Sequence, residues 1–477
     1  MSPQDSSRDG GGTLAVEQHT IYQIPLDQRH GRAPHLFTLW FGANMQVLTI
    51  VTGALATTVF HQSFLSGIAA ILVGNLVGAV FMALHAAQGP QLGVPQMVQS
   101  KGQFGAIGAS FIVLLVIFMY VGYFASGLVI GGQSIHAVLT GVDERVGITL
   151  VAAVSLLATV YGHDLIHVFT RWMTYVSGAA LLFSFAWIIW AHGVPEGFGS
   201  QGGFTASGFF GMVSVGALWQ ISYAPYVSDY SRYLPPGTGP RQAFWACYSG
   251  CSLGAILPMI LGALIGLAVT TSDVVEGLVG LTGPFSAVIV FLFGLGIAAS
   301  SAMNLYCGAL SSITLGQTFL SRWRAGPSAR IVIATLLCLA SLLISLLGKD
   351  DFLTNYTNFI NLLMYVMVPW TAVNLVDFYL VQHGEYDVPS FFERDGGIYG
   401  LYNWPALFCY LLGIVIQIPF ISTDLYTGPI AAALGNVDIS WMVGLAIVSP
   451  IYYFIARGAD RAAPQRSVTR DPRIMPG

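Results

Sequence analysis

The chain has 477 residues, 55% of them hydrophobic and only 8% charged, with a net charge of −4. Soluble domains carry roughly a quarter charged residues, so this composition excludes a water-soluble globular protein and points to the lipid bilayer. The small net charge identifies no partner, and neither a nucleic acid nor an obligatory protein partner is expected.

The sequence up to about Gln28 is polar and lacks an apolar run, so it is no secretory signal and is expected to be a mobile tail. We divide the chain into an N-terminal tail (1–30), one membrane domain (31–457) and a C-terminal tail (458–477). A helix needs roughly 20 mostly apolar residues to cross the hydrocarbon core. Twelve such runs follow one another, centred near Thr49, Asn75, Tyr120, Val154, Leu182, Gln220, Ala255, Gly296, Leu337, Val368, Gly413 and Leu445. An all-α integral membrane protein of about twelve transmembrane helices is therefore expected. The run through Tyr120 is long enough to cross at a tilt.

The polar residues within these runs are few. Span one holds Trp40-Phe41-Gly42-Ala43-Asn44-Met45-Gln46, a glycine and two amides near mid-membrane. Helix packing through amides is the competing explanation there. Span three offers Gly122-Tyr123-Phe124 followed by Gly127, Gly131 and Gly132, a smooth face carrying one amphipathic ring. Span six contains Trp219-Gln220 and then Pro225, where a kink would present an indole and an amide. Span eight carries Ser300-Ser301-Ala302-Met303-Asn304. Spans one and six are both interrupted by glycine and lie five apart, the offset of an inverted five-helix repeat with its substrate at mid-membrane.

Charge inside the bilayer marks function, because burying it is costly unless it is paired or hydrated. Only Asp229 and Arg232, near one end of span six, and Asp377, near one end of span ten, approach the interior. We read them as ion pairs or gating contacts at helix ends, so a charged solute lacks a buried counter-ion and a neutral one is expected. The five cysteines all lie in apolar runs, against both a disulfide framework and a soluble zinc site. Cys247 and Cys251 share a helix face, but with no His or carboxylate beside them they read as packing residues.

Sixteen of the eighteen Lys and Arg residues fall on the side that holds both tails. The other side has only Arg145 and Lys349, among acids that include Asp143, Glu144, Glu196, Asp273, Asp424 and Asp438. By the positive-inside rule both termini are expected in the cytoplasm, with the chain in the cell membrane.

At these segments the chain resembles the nucleobase:cation symporter-1 family, most closely its purine-cytosine permease branch. The resemblance covers nearly all twelve spans. It is carried by Ser228-Asp229-Tyr230-Ser231-Arg232-Tyr233 after span six, Asn304-Leu305-Tyr306-Cys307-Gly308-Ala309-Leu310-Ser311 in span eight, and Ala372-Val373-Asn374-Leu375-Val376-Asp377-Phe378-Tyr379-Leu380 in span ten. Asn403-Trp404 and Asp438-Ile439-Ser440-Trp441 add to it. The resemblance implies a leucine-transporter-like fold of two inverted five-helix repeats plus two C-terminal helices, working by alternating access with a coupling cation. It implies substrate contacts at Gln46, Tyr123, Trp219 or Gln220, and Asn304.

Two departures matter. The ring of span three is Tyr123 where relatives often have Trp, and the Gln that hydantoin carriers place one turn later is Gly127, which argues against hydantoin. In span six the family's aromatic position falls on Gln220, with Trp219 one residue earlier. The sodium site of some relatives implies the carbonyls of Gly42 and Met45 together with span-eight hydroxyls. In that register this chain has Ala298 and Ala299, and Ser300 and Ser301 substitute only if the helix shifts. The loss leans towards proton coupling, yet no mid-membrane acid or His stands ready, since His61 and His85 sit near helix ends and read as interfacial. The coupling ion, H+ or Na+, stays open, and no other cofactor or metal is expected.

The resulting expectation is a cation-coupled symporter importing a neutral planar nucleobase such as cytosine or a purine. Its rivals are the same transport with allantoin, uracil, pyridoxine or thiamine as cargo, and a non-transporting membrane receptor or sensor. An enzyme is disfavoured because the spans hold no metal cluster of His and carboxylates and no nucleophile-base pair, and a channel because no pore motif repeats.

Overall fold

The computed structural model describes residues 17, 19–193, 202–268, 273–320, 322–423 and 425–462. Most of the two expected tails, and with them Glu196 and Asp424, lie outside the described residues. Among the described residues, eighteen α-helices follow in chain order. The first nine are α1 (Ala33–Asn44), α2 (Val47–Thr58), α3 (Phe64–Leu84), α4 (Gln88–Leu92), α5 (Gln96–Phe104), α6 (Gly108–Val138), α7 (Glu144–Tyr161), α8 (His163–His192) and α9 (Ala206–Ile221). The rest are α10 (Ala224–Ser231), α11 (Pro240–Ala268), α12 (Val274–Thr282), α13 (Ser286–Phe319), α14 (Pro327–Gly348), α15 (Phe352–Val376), α16 (Trp404–Gln417), α17 (Pro429–Ala433) and α18 (Ser440–Ala462).

Eight helical stretches are long and apolar enough to cross a bilayer, and the bent pair α1 and α2 makes a ninth. One of the eight, Pro327–Val381, is two spans, α14 and α15, joined by a tight turn at Lys349–Asp351. The broken pair α9 and α10 and the shorter apolar helix α16 complete the twelve. The long third span is α6, with 31 residues.

Two spans break where their sequences hold polar residues. At the end of α1, Met45 and Gln46 leave helical geometry, Gln46 being fully extended (φ −145°, ψ 157°), and α2 departs at 63°. In span six, α9 ends at Ile221 and α10 begins at Ala224, followed by Pro225, which has no N–H to continue the helical ladder. Backbone freed from a helix at this depth is tolerated only against protein or a polar cavity. Both breaks have such surroundings.

The helices sort into two groups. The broken span one, α3, α9 and α11 pack on one another, while α6, α7, α13 and α14 form a second set, with α8 bridging α1 and α13. α15 packs with α16 and α18 at one flank. Close approach within the first group depends on missing side chains. A Cβ at Gly262 of α11 would stand 1.8 Å from the Ile50 carbonyl oxygen, and one at Gly53 of α2 would stand 2.1 Å from that of Met259. Because the obstacle is backbone, Gly262→Ala should cost at least the 1–3 kcal/mol or so typical of overpacking. A monodisperse gel-filtration peak retained at the wild-type melting temperature would contradict it.

Two expectations are corrected here. The end of the N-terminal tail is not mobile: Ile21 and Ile24 are fully buried, Thr20 Oγ1 donates to the Ala325 carbonyl (3.1 Å), and Ile24 N–H donates to the Gly93 carbonyl (2.9 Å). Nor is His85 interfacial. It is fully buried, stacked on Trp370 with ring centroids 5.1 Å apart, because its Nδ1 finds the Phe81 carbonyl at 2.8 Å and its ring finds an aromatic face.

Candidate functional site

The two breaks face each other across a cavity at the junction of the two helix groups. Its walls include Gln46 from the span-one break, Tyr123 and Gly127 from α6, Trp219 from α9, and Ser300, Ser301 and Asn304 from α13. These are residues singled out in the sequence, and the fold brings them together from four separate spans. Leu48, Ser222, Tyr223 and Tyr226 complete the lining.

The polar groups are already engaged with one another. Gln46 Nε2 donates to Ser300 Oγ at 3.1 Å. Asn304 Nδ2 donates to the Ser300 carbonyl at 3.1 Å, and its Oδ1 accepts from the Tyr226 hydroxyl. The Trp219 indole N–H donates to Asn44 Oδ1 at 2.7 Å, so Asn44 sets the ring's orientation, while the Tyr223 hydroxyl reaches the same oxygen at 3.3 Å. The Tyr123 hydroxyl is buried, with no hydrogen-bond partner of good geometry among the described residues. Its ring meets Trp219 edge to face, with centroids 6.2 Å apart and planes at 84°. A flat ring can therefore stack on one of them and meet the other edge-on, but the two do not form a parallel clamp. The enclosed space is about 20 Å³, little more than one water requires, so side chains must turn to admit a heterocycle.

Gln220 does not join this group. Its Nε2 donates to Asn75 Oδ1 (2.8 Å) and to the Cys251 carbonyl (3.3 Å), away from the cavity and towards α3 and α11. Trp219, one residue earlier, occupies the lining instead. The four groups considered for the cation lie at the span-one break and on the part of α13 that packs against it. The Gly42 carbonyl caps α1 through Met45 N–H (3.1 Å), and the Met45 carbonyl abuts α13 at Gly296, while Ser300 and Ser301 face the main cavity. A Cβ at position 127 would come within 2.9 Å of Ser301 Oγ, so Gly127 leaves that hydroxyl its room. Cys247 and Cys251 are buried thiols, and Cys251 Sγ accepts from Asn44 Nδ2 at 3.6 Å. Sequence reasoning overlooked Tyr223 and Tyr226, although their spacing of three across Pro225 puts both on one face of the break.

Beyond Tyr226 lies a sealed layer towards the face that carries the N-terminal segment. Tyr230 and Tyr306 pack with centroids 5.6 Å apart, and behind them the Glu17 carboxylate bonds Arg330 Nη1 (2.7 Å), the Tyr306 hydroxyl (2.8 Å) and the Tyr233 hydroxyl. Arg232 stands 3.6 Å from it and also donates to the Thr20 carbonyl (2.6 Å). Arg232 is therefore paired with the tail and not with Asp229, whose carboxylate accepts from Gln96 N–H (2.8 Å). Asp377 likewise serves structure, accepting from the hydroxyls of Tyr386 and Tyr452.

Residues 23–444 match the family described as permeases for cytosine/purines, uracil, thiamine and allantoin. The protein YxlA of Bacillus subtilis, provisionally named a purine-cytosine permease, is 41% identical over 93% of this chain and 96% of its own length. The purine-cytosine permease fcyB of Emericella nidulans is 27% identical over 92% of this chain and 88% of its own. The solved structure of Mhp1, a nucleobase-cation-symport-1 family transporter in a closed conformation with bromovinylhydantoin bound, superposes with a TM-score of 0.77 at 16% identity, covering 94% of this chain and 97% of that one. At that identity the likeness concerns the fold, and it is the all-helical fold that the family resemblance implied. Because the family match runs through almost the whole membrane domain, the chain belongs to the family of permeases for cytosine/purines, uracil, thiamine and allantoin and is a multi-pass membrane transporter, not an enzyme.

Proposed function

We propose that the chain imports a neutral planar nucleobase, cytosine or a purine, by cation-coupled symport with alternating access. The observation that carries this reading is the cavity itself: two amides, Gln46 and Asn304, and two aromatic rings, Tyr123 and Trp219, converge from four spans, and no charged side chain lines it. Amides both donate and accept, so they match the alternating edge of a base without a charge. Aromatic faces reward planarity. The base stacks on Trp219, held in place by Asn44, meets the edge of Tyr123, and exchanges hydrogen bonds with Asn304 and Gln46 once Tyr226 releases the Asn304 oxygen. Trp219 takes the role for which Gln220 was the alternative. A coupling cation, H+ or Na+, drives the cycle, with the Gly42 and Met45 carbonyls and the Ser300 and Ser301 hydroxyls as its candidate ligands.

Transport proceeds as one helix group rocks against the other, opening the cavity to each face in turn. The face carrying the tails is cytoplasmic, in keeping with its sixteen of eighteen basic residues. Uptake of labelled cytosine by cells expressing the chain tests this. Unlabelled adenine and hypoxanthine are expected to compete, with allantoin and pyridoxine weak or inert, and either sodium removal or an uncoupler is expected to collapse accumulation. Failure of every nucleobase to enter or compete would remove the reading.

A further inference from the structure

The face sealed by Glu17 holds a second cleft, of about 320 Å³, between the segment that leads into α1 and the first turns of α8. His30 comes from that segment, and His163 and Asp164 open α8. One ligand atom from each lies within 4.8 Å of the other two. His30 Nδ1 stands 3.0 Å from the Gln28 carbonyl oxygen. A carbonyl can only accept, so Nδ1 carries the hydrogen, and in the neutral ring Nε2 presents a lone pair towards Asp164 Oδ1, 3.9 Å away. A metal ion that takes this lone pair competes with a proton, which would let His30 donate to Asp164 directly, and it is the convergence of three ligand atoms that points to the metal. The backbone bond at the far nitrogen is also how metal-binding imidazoles are oriented.

The rest of the cleft favours the same occupant. His163 Nδ1 is 3.0 Å from the same carboxylate oxygen, and the His163 side chain is only 8% exposed, with its Nε2 left without a partner among the described residues. His167 lies against it, ring centroids 4.3 Å apart, and its buried Nε2 is also unpartnered. We propose that His30, His163 and Asp164 bind a divalent transition-metal ion of the zinc, cobalt or nickel class, and that the bound ion ties the start of span one to α8.

Imidazole nitrogen and one carboxylate suit these metals, whereas magnesium and calcium prefer sets of oxygens. Zinc bonds of about 2.0–2.2 Å require the ligand atoms to draw together by about an ångström. His30 and Asp164, each 60% exposed, have the freedom to do so. Arg171 also lines the cleft and disfavours a bare dication, so the fourth position falls to water, hydroxide or another small anion beside it. The tie lies across the mouth that must part if the cavity opens to this face, so on the transport reading above the bound ion slows the cycle.

The test uses the purified, metal-stripped full chain. Cobalt is expected to give the visible absorption of a tetrahedral His-containing site, zinc to bleach it by displacement, and zinc but not magnesium to raise the unfolding temperature by a few degrees. His30→Ala and Asp164→Asn, both at exposed positions, should each weaken cobalt and zinc binding tenfold or more while keeping the wild-type elution profile. Absence of the cobalt band, an equal band in both variants, or an equal response to magnesium would overturn the site. These readouts do not depend on the cargo. In proteoliposomes zinc should slow uptake by the wild type and not by Asp164→Asn, and zinc that binds without slowing uptake would overturn its role as a tie while leaving the site.

Discussion

Asn304→Ala is expected to reduce the apparent affinity for a nucleobase by roughly one to two orders of magnitude, with protein still at the membrane. The side chain reaches the cavity from α13, the helix that faces the span-one break. Its oxygen is held by the Tyr226 hydroxyl and its nitrogen by the Ser300 carbonyl. A base entering this site replaces the Tyr226 contact with its own donor. Alanine removes that acceptor and leaves the buried base edge unpaired, at about 1–3 kcal/mol. Since about 1.4 kcal/mol is a factor of ten, the loss is large on the scale of uptake kinetics. Tyr226→Phe provides the counterpart: it frees the Asn304 oxygen and should preserve or tighten binding. Concentration-dependent uptake, normalised to surface expression, measures both, and wild-type affinity in Asn304→Ala would sink the assignment.

Glu17→Gln should destabilise the protein by about 3–5 kcal/mol, the usual cost of breaking a buried ion pair from one side. The carboxylate is 9% exposed, and its two guanidinium partners, Arg232 and Arg330, are 0% and 1% exposed. The neutral amide leaves two buried cations without their shared counter-ion. The amide also keeps only one acceptor oxygen, so it forfeits either the Tyr233 and Tyr306 hydroxyls, which share Oε1, or the His163 N–H and Arg330, which share Oε2. Burial alone would push the Glu17 carboxyl up, but Arg330 and Arg232 prevail and hold it below its ordinary range.

The pH dependence follows from that direction. A depressed carboxyl contributes its stabilisation fully above its unfolded value and loses it as pH falls through the folded one. The gap in melting temperature between wild type and Glu17→Gln should therefore be constant from neutral pH down to about 5 and shrink below about 4. Thermal unfolding in detergent over that range measures it. A gap that is absent at neutral pH would show that the tail contributes no stability.

The twelve spans and the neutral character of the cavity were legible in the sequence because each depends on local sums: a run of apolar residues, and the scarcity of charge within a run. The break in span one was legible for a related reason, since a glycine followed by Asn44 and Gln46 makes poor continuous helix in lipid. The five-span offset between that break and the one before Pro225 suggested an inverted repeat, and the family resemblance implied the fold.

Other features depended on which way a side chain points and on partners far along the chain. Trp219 and Gln220 are adjacent, and both faces of α9 are buried, so hydropathy could not say which one meets the cavity. Packing decided it, by pairing Gln220 with Asn75 and Trp219 with Asn44. The polar segment ending at Gln28 looked mobile because it lacks an apolar run, whereas in the folded chain Glu17 pairs with Arg330, 313 residues away. His30 and His163 are likewise unremarkable until the start of span one is laid against α8. Local sequence determined where this chain enters and leaves the bilayer, because transfer into lipid is additive over neighbouring residues. Only the tertiary structure decided which polar groups meet, because a buried hydrogen bond or ion pair requires two atoms at a set distance, whatever their separation along the chain.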